Sequence, residues 1–329
     1  MHPFSMHARV KEIIRPALPD GRTAGWAMIR EGLRGSIVPL VTPFDASGGV
    51  DEAAVLSLIE FQIAGGSHGI SVAGTTGEPS SLTHGERERL FEVAVGATAG
   101  RRPVVAGTGT NNLPETLRLT SSAEKAGADA ALVIVPYYNR PSQEGLYRYF
   151  RDVSSSTSLP VIIYNIPGRT ATNMEASTAG RLRGVCGNLV GIKESNRDMD
   201  QVTRLLQECG DDFLVYSGIE SLCLPMLAVG GSGHFSATAN LLPTEVADLY
   251  NHAAAGRWDE ARRLHHALFR INESIFWDTN PVPLKAAMAM LGRVQNILRP
   301  PLVPLSDDLT TRMRSLLHDY GLLPKRGGR

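Results

Sequence analysis

The sequence predicts an α/β fold: a barrel of eight strand–helix units with an all-α extension at its C-terminal end. Short apolar runs alternate with longer amphipathic segments, there are eight such runs, and only helical patterns follow the eighth unit. The near-continuous hydrophobicity of the runs is typical of parallel strands covered by helices. We therefore predict a (β/α)8 TIM barrel. The alternative, a doubly wound open sheet, normally uses fewer strands.

The predicted strands and helices alternate regularly along the chain. The strand-like runs lie at 36–41, 69–73, 104–108, 130–136, 161–166, 189–195, 213–218 and 233–239. Helical segments follow them at 51–61, 86–99, 113–126, 143–154, 175–182, 199–209, 220–229 and 244–255. Thr83 and Glu86 have the spacing of a capping box at the start of the second helix. Three further helices are expected at 258–276, 283–291 and about 308–320.

These patterns divide the chain into three parts. Residues 1–34 contain several prolines and glycines and little periodicity, so we expect an extension or loosely docked arm. Met28 lies just before the first strand and is a candidate natural start. Residues 35–256 are expected to form the barrel, and residues 257–329 the helical region.

Composition excludes several classes of function. Among 329 residues, 33 basic residues balance 33 acidic ones, so no net field favours nucleic acid or anionic lipid. No apolar stretch is long enough to span a membrane, and the first residues lack the apolar core of a secretory signal. The three cysteines have no C-x-x-C spacing, which fits a reducing compartment. We expect a soluble cytoplasmic protein.

Reacting groups of barrel enzymes come from the carboxyl ends of strands and the loops after them. Lys193, one of only five lysines, closes the sixth apolar run, where a purely structural strand would carry another apolar residue. Burial disfavours the charged form of a lysine and favours the nucleophilic amine, so Lys193 is a candidate for Schiff-base formation. The alternative is a strand-end lysine that snorkels to solvent or pairs with a carboxylate such as Glu194.

Other strand ends supply polar groups that suit the same chemistry. Tyr164 ends the neighbouring fifth run, and its phenol can donate and accept the protons that imine formation moves, although an isolated tyrosine is more often structural. Thr75 and Thr76 lie between glycines and could hold a substrate carboxylate or simply cap the next segment. Arg169 could bind a second carboxylate, whereas a lone loop arginine is usually a surface residue.

The sequence gives no sign of a metal or an organic cofactor. Its glycine-rich segments lack a Walker lysine and the complete dinucleotide fingerprint, which disfavours a nicotinamide- or flavin-binding barrel. The nine histidines include no H-E-x-x-H motif, and no G-x-S-x-G elbow is present.

Several strand-end segments together match a known family. The chain resembles the pyruvate-dependent class I aldolases and lyases of the dihydrodipicolinate synthase and N-acetylneuraminate lyase superfamily, from about Gly35 to Leu322. The matching segments are 74–78 (GTTGE), 106–109 (AGTG), 136–147 (PYYNRPSQEGLY), 164–165 (YN), 191–194 (GIKE), 217–218 (SG) and 280–281 (NP). The double threonine and the block at 136–147 are most similar to the synthase branch.

The resemblance implies a role for each matching residue. Lys193 corresponds to the Schiff-base lysine, and Tyr164, Thr75 and Tyr138 correspond to a proton relay in which Tyr138 is donated across a subunit interface. For the substrates, the resemblance implies a pyruvate-carboxylate contact at Thr76, a carbonyl near pyruvate at Gly218 and an arginine for the aldehyde's carboxylate at Arg169. Phe235 departs from the aliphatic residue usual in the synthase branch, and it would intrude on the pyruvate pocket.

The resemblance also implies a reaction. Pyruvate would form an imine with Lys193, and the derived enamine would attack an aldehyde, L-aspartate-4-semialdehyde in the synthase branch, in a homotetramer without metal or cofactor. Pro79 and Arg87 replace residues usual in the family's lysine-inhibition site, whereas Asn111, Glu115, Tyr137 and His84 match, so the resemblance leaves inhibition by lysine open. The alternatives are another pyruvate-imine enzyme, such as an aldolase or dehydratase of a 2-keto-3-deoxy sugar acid, and a barrel that binds a small molecule without catalysis.

Overall fold

The computed structural model describes residues 30–324, and these contain eight parallel strands closed into a barrel in sequential order, β1 to β8. The strands are β1 (Gly35–Pro39), β2 (Gly69–Val72), β3 (Val104–Gly107), β4 (Ala130–Ile134), β5 (Val161–Asn165), β6 (Leu189–Glu194), β7 (Leu214–Ser217) and β8 (Gly233–Phe235). The prediction of a TIM barrel rather than an open sheet is confirmed. Met28 and most of the N-terminal extension lie outside the described residues.

A helix follows each strand, as the sequence patterns predict. These are α1 (Glu52–Ala64), α2 (His84–Thr98), α3 (Leu113–Ala126), α4 (Gln143–Ser155), α5 (Ala176–Arg183), α6 (Met199–Cys209), α7 (Cys223–Ala228) and α8 (Pro243–Ala254). Three helices come after the barrel: α9 (Trp258–Ser274), α10 (Val282–Met290) and α11 (Asp307–Asp319). Shorter helical turns lie at Thr75–Gly77, Pro79–Ser81, Pro167–Thr170, Glu220–Leu222 and Ala237–Asn240. The capping box predicted for α2 is present, because the Thr83 hydroxyl and the Glu86 carboxylate bond to each other's backbone N–H.

Two apolar layers hold the barrel together. Residues on the outer face of the strands pack with the helices into one large buried cluster. Inward-facing side chains form a second cluster that fills the barrel, among them Ile37, Leu132, Tyr164, Tyr216 and Phe235. The barrel is therefore a packed core with a site only at its end, as is usual for this fold.

The eighth strand is shorter than predicted. It ends at Phe235, and the chain continues into a short helical turn, Ala237–Asn240. The backbone N–H of Ala237 donates to the Glu220 carboxylate at 2.8 Å, and Asn240 Nδ2 donates to the carbonyl of Pro39 at 3.0 Å. Side chains thus take up hydrogen bonds that a longer strand would have placed in the sheet, which apolar composition alone could not indicate.

Candidate active site

Lys193 lies inside the carboxyl end of the barrel because of an irregularity in β6. Leu189 packs in the outer cluster and Val190 in the inner one, but the strand register shifts beside Val161 and Ile162, and Ile192 again faces outward. A bulge of this kind reverses the alternation of the residues that follow it. Lys193 therefore points inward, opposite Tyr164 on β5, and only 5% of its surface is exposed.

The amine of Lys193 lies between two aromatic rings. Its Nζ is 3.9 Å from the centroid of the Tyr164 ring and 5.0 Å from that of Phe235. Phe235 ends β8, is 2% exposed and packs edge-on against Tyr216. A lysine amine enclosed by apolar walls at a barrel mouth is a suitable nucleophile for a carbonyl group.

The alternative that Lys193 pairs with Glu194 is wrong. Glu194 points outward, where both carboxylate oxygens accept from Asn165 Nδ2 at 3.0 Å and Oε2 also accepts from Gln201 Nε2 at 2.8 Å. Burial raises the pKa of Glu194 to about 7, against the opposing effect of these hydrogen bonds. Glu194 therefore fixes the outer side of β5 and β6 and leaves Lys193 without this counter-charge.

Tyr164 and Thr75 form the start of a proton path. Thr75 Oγ1 donates to the Tyr164 hydroxyl at 3.5 Å, the long end of hydrogen-bond distances. Thr75 and Thr76 lie on the short helical turn after β2, and Thr76 Oγ1 accepts from Asn280 Nδ2 at 2.9 Å. The turn thus presents the Thr75 hydroxyl to the Tyr164 phenol. Asn280, in the loop before α10, holds the Thr76 hydroxyl.

Gly218 lies against the stem of the lysine. A side chain at this position would collide with Ser195 Oγ and would come within 2.9 Å of Lys193 Cε. Its N–H donates to the carbonyl of Glu194 at 2.8 Å, so the backbone after β7 follows the end of β6 closely. A side chain at Gly218 would therefore crowd the stem of Lys193.

Two residues expected in the site lie on the surface of the chain. Arg169, on the Pro167–Thr170 turn, is exposed, and its guanidinium donates to the carbonyl of Asn280 at 3.4 Å. Tyr138 is 90% exposed, with a positive φ of 73°. The structure brings together Lys193, Tyr164, Thr75 and Phe235, whereas Tyr138 is exposed on the single chain and has no described contact with them.

The structure adds residues that sequence reasoning did not select. Glu220 follows Gly218 by two positions and is buried, and its Oε2 has no hydrogen-bond partner among the described residues, as is also true of Ser195 Oγ. Burial raises the pKa of Glu220 to about 7, while backbone N–H donors and the charge of Lys193 oppose the shift. Both residues follow strand ends, so extending the search two residues past Gly218 would have found Glu220.

Metal ligation and membrane insertion have no support in the described part of the chain. Within residues 30–324, no group of three or more histidine, cysteine, aspartate or glutamate side chains is placed to hold a metal ion. Over the same residues, no helix is both long and apolar enough to cross a membrane.

Comparison with known proteins gives a consistent result. The profile of the Dihydrodipicolinate synthetase family matches residues 32–320. A 4-hydroxy-tetrahydrodipicolinate synthase of Thermus thermophilus is 50% identical over 293 residues, which cover 89% of this chain and 98% of that protein. The crystal structure of dihydrodipicolinate synthase from Aquifex aeolicus is 42% identical with a TM-score of 0.87, covering 89% of this chain and 100% of that one. The enzyme from Acinetobacter baumannii, solved with pyruvate, is 35% identical with a TM-score of 0.86, covering 88% and 100%.

Proposed function

The chain belongs to the dihydrodipicolinate synthetase family, and we propose that it condenses pyruvate with L-aspartate-4-semialdehyde to give 4-hydroxy-tetrahydrodipicolinate. It is a lyase of the class I aldolase type. The observation that carries the proposal is the Lys193 amine, enclosed at the barrel mouth 3.9 Å from the centre of the Tyr164 ring. Pyruvate as first substrate is supported by the related structure solved with it.

The reaction begins with a carbon–nitrogen bond. The Lys193 amine attacks the ketone of pyruvate, and the carbonyl oxygen leaves as water after Tyr164 supplies a proton. The protonated imine withdraws electrons, so the methyl group loses a proton and an enamine forms. The enamine carbon then attacks the aldehyde, whose oxygen takes up a proton and becomes a hydroxyl. The amino group of the second substrate finally displaces Lys193 from the imine carbon, which closes the ring and frees the lysine.

Thr75 and Tyr138 complete the proposed proton path from Tyr164 to solvent. Thr75 already lies within 3.5 Å of the Tyr164 hydroxyl. Tyr138 is 90% exposed on its own chain, which suits a residue that enters the site of a second copy. The proposal therefore includes an oligomer, a homotetramer built as a dimer of dimers, in which the site is incomplete without the partner subunit.

The remaining candidates bind the substrates. Thr76, 3% exposed and fixed by Asn280, contacts the pyruvate carboxylate, and the carbonyl of Gly218 lies beside the bound pyruvate. Phe235 forms the apolar wall of the pocket on the β8 side. Arg169, exposed at the rim, binds the carboxylate of the aldehyde.

The proposal assigns the parts of the chain and the compartment as well. Residues 35–256 form the catalytic barrel, and the region from residue 257 is helical over its described part; residues 1–29 and 325–329 lie outside the described residues. A cytoplasmic location fits the three cysteines, Cys186, Cys209 and Cys223, all free and buried.

Covalent trapping tests the nucleophile. Borohydride added with pyruvate reduces the imine, and intact mass should rise by one reduced pyruvate adduct, located at Lys193 by peptide mapping. Lys193→Ala should show no adduct, while the control Lys125→Ala, an exposed lysine in the last turn of α3, should behave as wild type. An adduct that still forms in Lys193→Ala would reject the assignment.

A panel of acceptor aldehydes offered with pyruvate tests the second substrate. Turnover should be highest with L-aspartate-4-semialdehyde, and a preference for cleaving or dehydrating a 2-keto-3-deoxy sugar acid would favour the alternative enzyme class. A protein without any adduct would instead be a small-molecule-binding barrel.

A further inference from the structure

A buried ion pair connects the C-terminal helices to the turn that carries Thr75 and Thr76. Lys285 lies on α10 and its side chain is fully buried, with Nζ 2.5 Å from Oε1 of Glu78, which follows the turn directly. The same amine donates to the carbonyl of Ile297 at 2.9 Å and lies 4.1 Å from the centre of the Phe44 ring. Burial lowers the pKa of Lys285, and the charge of Glu78 opposes that shift.

The turn needs such support because its backbone is strained. Ala73 and Glu78, at the two ends of the turn, both have a positive φ of 53°, a conformation that residues other than glycine rarely adopt. Strain of this kind persists only where surrounding contacts hold the chain in place. Asn165 and other outer-face residues fix β5 and β6, but the contacts of the Glu78 carboxylate all come from the C-terminal segment.

Two further contacts come from that segment. The backbone N–H of Arg299 donates to Glu78 Oε2 at 3.3 Å, while Oε1 accepts no hydrogen bond among the described residues and is held by its ion pair with Lys285. Asn280 Nδ2 donates to Thr76 Oγ1 at 2.9 Å. Residues 280–299 thus hold the turn through the Thr76 hydroxyl and the Glu78 carboxylate. The carbonyl of Gly77 in addition accepts from the Thr42 hydroxyl at 2.7 Å.

We propose that Lys285 is a positioning residue for the reaction, acting through Glu78 to hold the turn at the place where Thr75 reaches the Tyr164 hydroxyl. Lys285 touches neither substrate nor Lys193 in this role. The inference rests on the proposed function, because it assigns a use to the Thr75–Tyr164 contact. It makes the C-terminal helices part of the catalytic apparatus rather than only a neighbouring bundle.

The geometry sets the size and kind of effect. Thr75 Oγ1 is already 3.5 Å from the phenol, so a small movement of the turn ends the contact. Misplacement by about 1 Å can cost on the order of 100-fold in rate. We therefore expect Lys285→Met to lower kcat by about 10- to 100-fold. The rate of imine formation with pyruvate alone should fall with it, and the KM for the aldehyde should change much less.

Glu78→Gln and the double variant Lys285→Met/Glu78→Gln separate positioning from general destabilisation. If Lys285 acts through Glu78, the loss of kcat in the double variant should be no larger than in the worse single variant. Met313→Ala is the matched control, because Met313 on α11 is fully buried in the helical region but is not among the residues that bond to the turn. All rates are measured at temperatures where unfolding curves show each variant fully folded.

Distinct results decide the inference and the function. A wild-type kcat in folded Lys285→Met, additive losses in the double variant, or the same loss in Met313→Ala at equal stability would each overturn the positioning role. If Lys285→Met does not fold, Glu78→Gln, which keeps the size of the side chain, carries the same expectation of slowed imine formation. Failure of wild type to form a borohydride-trapped adduct would instead reject the proposed function itself.

Discussion

Two buried lysines at the same end of the barrel have opposite surroundings. Lys285 is fixed by a carboxylate, a backbone carbonyl and an aromatic ring, in a place from which solvent is excluded. Lys193 is 5% exposed and faces two rings, and no carboxylate of residues 30–324 lies within ion-pair distance of its Nζ. A paired lysine holds structure together, whereas an unpaired one beside a phenol is free to form a bond. Burial alone therefore does not identify a nucleophile. What distinguishes the nucleophilic lysine is that its amine has no carboxylate partner.

Replacing Lys193 by an uncharged residue tests this comparison and should have the largest effect on turnover. Lys193→Met should lower turnover by about 10⁴-fold or more, because the covalent route disappears with the nucleophile. Its free energy of unfolding should stay near that of wild type, since no ion pair is lost. Steady-state kinetics and urea unfolding give the two numbers. Turnover within tenfold of wild type would show that another group is the nucleophile.

Tyr164→Phe tests the neighbour that distinguishes Lys193 from Lys285. The ring remains to pack over the amine, while the hydroxyl that accepts from Thr75 is removed. Proton transfer by a positioned side chain contributes about 10²- to 10⁴-fold, so kcat should fall within that range. The borohydride adduct should still form on long incubation. Tyr147→Phe, a half-buried tyrosine on α4, is the control and should leave kcat unchanged.

Lys285→Met should lose much of its free energy of unfolding, in contrast to Lys193→Met. Removing the lysine leaves the Glu78 carboxylate buried without its partner, which typically costs about 3–5 kcal/mol in the free energy of unfolding. Adding Glu78→Gln should recover part of this loss, because the unpaired charge is then removed. Urea unfolding at one pH measures both. An equal loss in Lys193→Met and Lys285→Met would contradict the distinction between the two lysines.

The sequence was sufficient for the barrel because its signals are local. Eight apolar runs, the capping box at Thr83 and Glu86, and the helices after the barrel each depend on neighbouring residues. The same is true of Lys193 and Tyr164, since strand ends of a barrel meet at one rim. The position of Lys285 in the predicted C-terminal helices gave no indication of its burial.

The remaining features depend on contacts between distant parts of the chain. The direction of Lys193 depends on a bulge in β6, and strict alternation from Leu189 would have turned Glu194 inward instead. The pairing of Glu78 with Lys285 joins residues that no sequence spacing relates. The early end of β8 follows from Glu220, which takes the N–H of Ala237. Each of these requires the tertiary structure.

The two glutamates near these lysines extend the comparison to pH. Glu78 forms an ion pair with Lys285, whereas Glu220 has no ion-pair partner among the described residues, and burial raises its pKa to about 7. A carboxyl group whose pKa is higher in the folded state than its usual 4.5 stabilises the protein fully below about pH 4.5, and that contribution is lost as pH rises through 7. Ionised Glu220 should therefore weaken the fold at neutral pH.

Glu220→Gln should remove this dependence, because the amide stays neutral and can still accept from Ala237. Between pH 5 and pH 8 the free energy of unfolding should fall less in the variant than in wild type, by up to about 3 kcal/mol.

Glu194 and His234 also titrate with shifted pKa values, but they are present in both proteins and cancel in the difference. Glu86 does not contribute, since hydrogen bonds from Arg299 lower its pKa to about 2, below this range. Urea unfolding at both pH values, with the surface variant Glu92→Gln as control, measures the difference. The same slope in Glu220→Gln and wild type would mean that Glu220 is ionised at little cost in the folded protein.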